Sequence, residues 1–235
     1  MRMKILLLQA GIVLASLFAV AEWALLFPFP SPVVKPFLPP VERWPTDQVR
    51  AWVESGDFSG DYLEFFARDP ERTVPAGRNI VSPADGSVGD MPMKNGISYF
   101  LVNLSFWDVH VVRTPVAGVV KDVAQEGYYL SRDPTRDDLQ ESFYLRGKAA
   151  PVQSIVTLDT EYGEVKVRLI TSYWASRLKV WVHEGQRLEK GQRIGRILLG
   201  SNVVAEFPGE VKFAVRPRQR VLAGETVIAD GATLP

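Results

Sequence analysis

Apolar and polar residues alternate in three different textures along the chain. From Ile5 to Phe27 the residues are apolar apart from Gln9, Ser16 and Glu22. As a helix this stretch rises about 34 Å, enough to cross a bilayer core. A secretory signal is the competing reading, because Arg2 and Lys4 form a basic start and Ala19-Val-Ala21 has the form of a cleavage site. From Pro28 to Pro45 the chain carries seven prolines, which favour an extended, semi-rigid stalk. Thr46 is a plausible N-cap for a short helix through Val49, Trp52 and Val53, and Tyr62, Phe65 and Phe66 fit a second.

From Asn79 onward helical periodicity gives way to short runs of valine, isoleucine and aromatics separated by Gly, Pro and charged turns. That texture predicts strands at 99–103, 109–112, 155–159, 165–170 and 179–182. A weak internal repeat runs through this region. Pro83-x-x-Gly86-x-Val88 recurs as Pro115-x-x-Gly118-x-Val120. Gly185-Gln-Arg-Leu188-x-x-Gly191-Gln-x-Ile194 recurs 33 residues later as Arg218-Gln-Arg-Val221-x-x-Gly224-Glu-x-Val227. Two hammerhead-like β units are implied, with glycines at the turns and alternate valines facing a small core. The expected fold is therefore mainly β: a duplicated hammerhead-like β-sandwich or barrel with a few short helices and an N-terminal transmembrane helix.

Composition narrows the function classes. Of 235 residues 46% are apolar and 23% charged, and Lys+Arg and Asp+Glu each total 27, so no net field argues for a nucleic-acid partner. Absence of cysteine removes disulfides and thiolate chemistry. Only two histidines, His110 and His183, are present; an exported cell-wall zinc peptidase with this kind of β texture needs more, and no metal is expected.

The candidate chemistry centres on Arg196-Ile-Leu-Leu-Gly-Ser-Asn-Val-Val204, where Gly200-Ser201 follows an apolar run. A serine hydroxyl can attack the preceding carbonyl if a base, oxyanion donors and backbone strain assist it, and glycine before it permits that strain. The amide becomes an ester, and loss of that ester leaves dehydroalanine, then a ketone with release of ammonia. Two other segments carry candidate groups: Asp85 in Ser82-Pro-Ala-Asp-Gly86, and His110 in Phe106-Trp-Asp-Val-His-Val-Val-Arg-Thr-Pro115. An imidazole can give a proton near neutral pH, whereas Asp-Gly is also a common turn. His183 precedes a hammerhead turn and reads as a surface strand residue.

These three motifs, in this order and together with Phe65-Phe-Ala-Arg-Asp-Pro-Glu-Arg72, resemble the phosphatidylserine decarboxylases from about Phe65 to the C-terminus. The resemblance implies a pyruvoyl cofactor made from Ser201 by self-cleavage, giving chains 1–200 and 201–235. It implies Asp85 as the residue orienting or charging a base, His110 as proton donor in turnover, and an anionic phospholipid as substrate at the cell membrane. Arg113, Arg177 and Lys179 are candidate cations for the headgroup. A homodimer is a further expectation. Domain limits follow as 1–27 for the anchor or signal-like segment, 28–60 for the stalk and short helix, and 61–235 for the decarboxylase domain. Arg113 stands where long-branch members carry a second histidine, so the chain resembles the short branch and its self-cleavage base is unassigned. Asn202, the stretch Gln140–Arg146 and Ser176 also depart from the pattern, which keeps an inactive decarboxylase-like membrane protein as the alternative.

Overall fold

The computed structural model describes residues 2–26, 68–105, 108–127, 143–145, 151–171, 177–198 and 202–231. The chain divides into two compact units, 1–67 and 68–235. In the first, helix α1 covers Arg2–Leu26, with side chains described from residue 4 to residue 17, all exposed. No helix among the described residues is long and apolar enough to cross a membrane. The expected stalk and the two short helices at 46–53 and 62–66 lie outside the described residues.

The regular elements among the described residues of the second unit are strands. In chain order its strands are β1 (Asn79–Val81), β2 (Gly86–Val88), β3 (Met93–Lys94), β4 (Ile97–Asn103), β5 (Val111–Arg113), β6 (Gly118–Gly127) and β7 (Val152–Thr160). There follow β8 (Gly163–Thr171), β9 (Arg177–Val180), β10 (Arg187–Leu188), β11 (Arg193–Leu198), β12 (Asn202–Pro208), β13 (Arg220–Val221) and β14 (Val227–Asp230). The largest sheet has nine strands in the order β10-β6-β7-β8-β12-β4-β2-β13, with β3 added on β4. A second sheet runs β5-β11-β9, and β1 pairs with β14. The strand expected at 109–112 begins instead at Val111, because Ser105 and Asp108 close a turn just before it. The strand expected at 179–182 lies at 177–180, where its pairing with β11 starts at Arg177 opposite Leu198.

Side-chain alternation explains where the core lies. On β12, Val203, Ala205 and Phe207 enter the main core with Phe100 and Val102 of β4 and Val167 and Leu169 of β8. Asn202, Val204 and Glu206 therefore point to the other face. There Leu145 packs on Leu101, Ile170 and Val204, and the rings of Tyr99, Phe143 and Tyr144 close over them. Glu206 is nearly buried on this face and is paired with Arg168, whose Nη1 donates to Gln153 at 3.2 Å. A carboxylate removed from water is tolerated only with such partners.

The 33-residue repeat reappears in the hydrogen bonds. The β10–β6 pair sets Leu188 opposite Gly118, and the β13–β2 pair sets Val221 opposite Gly86. Val120 N–H donates to Gln186 O as Val88 N–H donates to Gln219 O, both at 2.9 Å. Gly191 N–H donates to Thr114 O, and Gly224 N–H to Ser82 O, again both at 2.9 Å. The halves also exchange bonds, Val81 N–H to Pro115 O at 3.1 Å and Arg113 N–H to Pro83 O at 2.8 Å. Gly191 and Gly224 share left-handed φ values of +77° and +76°, and a Cβ on Gly224 would lie 3.5 Å from the Gly191 Cα. The two glycines thus meet where the related halves touch, and the segments carrying Asp85 and Arg113 are laid side by side.

Candidate active site

Ser82 starts the first site segment. Its backbone N–H donates to Thr226 O at 2.8 Å, its O accepts from Gly224, and its hydroxyl donates to Ala84 O at 2.8 Å. This holds Pro83 and Ala84 in a fixed bend and turns Asp85 inward. Gly86 follows as the start of β2, where a Cβ would stand 2.4 Å from Asn103 O, so only glycine fits. Asp-Gly is therefore an entry into a strand rather than a hairpin turn.

Asp85 is fully buried. Arg72 Nη2 reaches both of its oxygens, Oδ1 at 3.1 Å and Oδ2 at 2.9 Å, and Ala223 N–H donates to Oδ1 at 2.7 Å. Burial pushes its carboxyl up to about 6, although Arg72 and the Ala223 N–H both pull the other way; the nearby charge of Asp108 adds to the rise. Arg72 itself is buried and also faces Glu225 Oε2 at 3.6 Å.

His110 lies in the loop just before β5 and is fully buried. The loop is pinned by Asp108, whose Oδ2 accepts from Ser105 N at 2.6 Å and Ser105 Oγ at 2.7 Å, and whose Oδ1 is paired with Arg220. His110 Nδ1 is 2.8 Å from Asp108 O. A carbonyl only accepts, so Nδ1 carries the proton and Nε2 carries the lone pair. Burial, with Arg68 and Arg196 acting in the same direction, lowers the imidazole to about 4. The ring is therefore neutral at neutral pH, with Nε2 unprotonated.

Arg113, fourth in the set of candidate residues, is 5% exposed. Its Nη1 donates to Gly191 O at 3.0 Å, and its Nη2 to Asp69 Oδ1 at 2.9 Å and Pro70 O at 3.3 Å. Asp69 also binds Arg193, so residues 68–72 strap across one face of the β5-β11-β9 sheet. Lys179 is exposed, and His183 is exposed with Nδ1 3.0 Å from Glu184 O. The side chain of Arg177 lies outside what is described.

Gly200 and Ser201 also lie outside the described residues. The described strands on either side carry the connection: Ile197 N–H of β11 donates to His110 O at 3.0 Å, and Asn202 opens β12 opposite Asn103, its Nδ2 donating to Asn103 Oδ1 at 2.9 Å. Gly86 packs on that same Asn103. The structure therefore brings His110 to the strand entering the Gly-Ser position, and sets the Asp85 segment against β4, whose other edge pairs with the strand leaving it. Sequence reasoning missed Arg72, Ser105 and Arg220 as the groups that hold Asp85 and His110. Arg72 ended a stretch already singled out, but its partner was not legible in it.

Comparison with known proteins fits this arrangement. Residues 60–229 match the family model for phosphatidylserine decarboxylase. The chain is 37% identical over 168 residues to a phosphatidylserine decarboxylase proenzyme of Solibacter usitatus, covering 70% of this chain and 76% of the relative. It is 36% identical to a putative archaetidylserine decarboxylase proenzyme of Methanosarcina barkeri, covering 72% and 76%, and 35% identical to a phosphatidylserine decarboxylase proenzyme of Symbiobacterium thermophilum, covering 71% and 78%.

Proposed function

The chain belongs to the phosphatidylserine decarboxylase family, and we propose that it is a pyruvoyl-dependent decarboxylase of serine-headed phospholipids, matured by self-cleavage between Gly200 and Ser201. One observation carries the reading. A buried neutral imidazole, His110, is tied to the strand entering the Gly-Ser position, and the buried carboxylate Asp85 leads into β2, which pairs with β4 beside the strand leaving it. Phosphatidylserine and its archaeal counterpart share the serine headgroup on which the reaction occurs.

His110 supplies the missing base of the short branch. Its Nε2 lone pair takes the Ser201 hydroxyl proton as the oxygen attacks the Gly200 carbonyl, while Asp108, through its carbonyl and its charge, favours the imidazolium that forms. The donor set fits the group that results, since a lone-pair nitrogen backed by the buried Asp108 can both take and return a proton. A pyruvoyl carbonyl supplies the sink for the electrons of the bond to the substrate carboxylate. His110 then returns its proton to the carbon that has lost carbon dioxide.

α1 is assigned as the membrane anchor within the proposed 1–27 segment. Its side chains from Ile5 to Leu17, apolar apart from Gln9 and Ser16, are exposed, Leu6 at 63% and Leu14 at 67%, as expected of a helix that meets lipid. The 61–235 segment is taken as the catalytic domain, with residues 28–60 as the proposed connection to it.

Intact mass of the denatured protein, before and after a carbonyl-trapping reductant, tests the reading. A fragment of residues 201–235 with a blocked, reducible N-terminus is expected, and Ser201→Ala removes both the fragment and decarboxylation. A single intact chain from folded wild-type protein, or an active uncut Ser201→Ala protein, overturns it.

A further inference from the structure

Among the described residues, the outer face of the β5-β11-β9 sheet carries two groups of cations. Asp69 of the 68–72 strap occupies the end bearing Arg113 and Arg193. At the other end Arg196 lies opposite Val111 on β5 and Lys179 on β9, and directly opposed strand residues share a face. Trp181, two residues beyond Lys179, joins them: the Arg196 guanidinium sits 5.6 Å from its ring centroid. Lys179 is exposed and Trp181 is 37% exposed. Ile197, the next residue on β11, is bonded to His110 O.

From this geometry we propose that Arg196, with Lys179 and Trp181, forms the subsite for the phosphodiester of the substrate headgroup. Three observations support it. Arg196 lies beside the proposed proton carrier, since the next residue, Ile197, donates its N–H to His110 O at 3.0 Å, and the Arg196 charge acts on the imidazole. Arg196 presents a planar fork suited to phosphate oxygens, and the indole ring holds its plane. Arg113, the cation chosen from sequence, has its described donors committed to Asp69, Pro70 and Gly191. The subsite deepens the decarboxylase reading and rests on it.

The test uses the full chain in detergent and two arms. In the kinetic arm, short-chain phosphatidylserine is supplied below its aggregation concentration and, in parallel, in vesicles with and without phosphatidylglycerol; rates are normalised to the cleaved chain. Arg196→Gln should raise KM for the monomeric lipid about tenfold to a hundredfold with kcat changed far less, and Arg196→Lys should recover part of the loss. In the binding arm, glycerophosphoserine is titrated calorimetrically into uncut Ser201→Ala protein, and adding Arg196→Gln should weaken it by a similar factor. Unchanged KM and affinity overturn the subsite. So does an effect confined to phosphatidylglycerol vesicles, which would mark a general response to surface charge. A wild-type chain that stays intact and inactive counts against the decarboxylase reading, and the binding arm still decides on Arg196.

Discussion

Arg72 grips both carboxylate oxygens of Asp85, at 3.1 and 2.9 Å, in a place from which water is excluded. Burial alone would favour the neutral acid; the guanidinium keeps the charged form within reach of neutral pH. Self-cleavage that uses the Asp85 charge should therefore fall as pH drops through about 6. In Arg72→Gln the midpoint should move upward, because the opposing cation is gone. Fragment formation followed by intact mass between pH 5 and pH 9 checks this, and an unshifted midpoint in Arg72→Gln counts against it.

His110 gives a stability signature of the opposite sign. Its folded value of about 4 lies below the free value of 6.5, so the unfolded chain binds the proton more readily and stability is lost as pH falls from 6.5 toward 4. Asp85 works the other way, since a raised carboxyl loses stability as pH rises from 3.8 through about 6. Relative to wild type, His110→Gln should gain about 2 kcal/mol on going from pH 7 to pH 5. Urea unfolding of both proteins at the two pH values measures the difference.

Gly224 sits at the contact between the related halves with φ +76°, where an added Cβ would stand 3.2 Å from Arg113 Cδ and 3.5 Å from Gly191 Cα. Gly224→Ala should destabilise by roughly 2 kcal/mol, combining the left-handed backbone penalty with the crowding of Arg113. Gly96, at φ +75° with open space around its Cβ position, isolates the backbone part alone. Thermal melts of Gly224→Ala and Gly96→Ala should differ by the crowding contribution.

Cutting at the proposed bond should not release the small chain. β12 is hydrogen-bonded to β4 on one side and β8 on the other, β13 to β2 and β14 to β1, and all four partners precede residue 200. Arg220 and Ala223 add bonds to Asp108 and Asp85. The two fragments should co-elute in size exclusion and separate only at denaturant concentrations that unfold the domain.

What could be read from the sequence follows what the sequence encodes locally. Period-two alternation located β4, β7 and β8, and the recurrence of Gly191 at Gly224 announced the duplication that the paired backbone bonds display. β5 and β9 were displaced by two residues each because their limits are set by partners elsewhere, the Ser105–Asp108 turn and the register with β11. Charge pairing was the least legible. Asp85 and Ala223 are 138 positions apart, and Asp108 and Arg220 are 112 apart, so only topology brings them together. Arg113 shows the same: a candidate headgroup cation in the sequence, it donates in the fold to Asp69, Pro70 and Gly191, 44, 43 and 78 positions away.

The central position of β12 has a bearing on quality control. Under the proposed self-cleavage, a strand that is seated between β4 and β8 before the cut would make the cut a report on completed folding. A chain stalled with β12 unpaired would keep its serine and stay inert. Each copy carrying the proposed carbonyl would thereby have passed its own inspection, without a separate protease to tell finished molecules from unfinished ones.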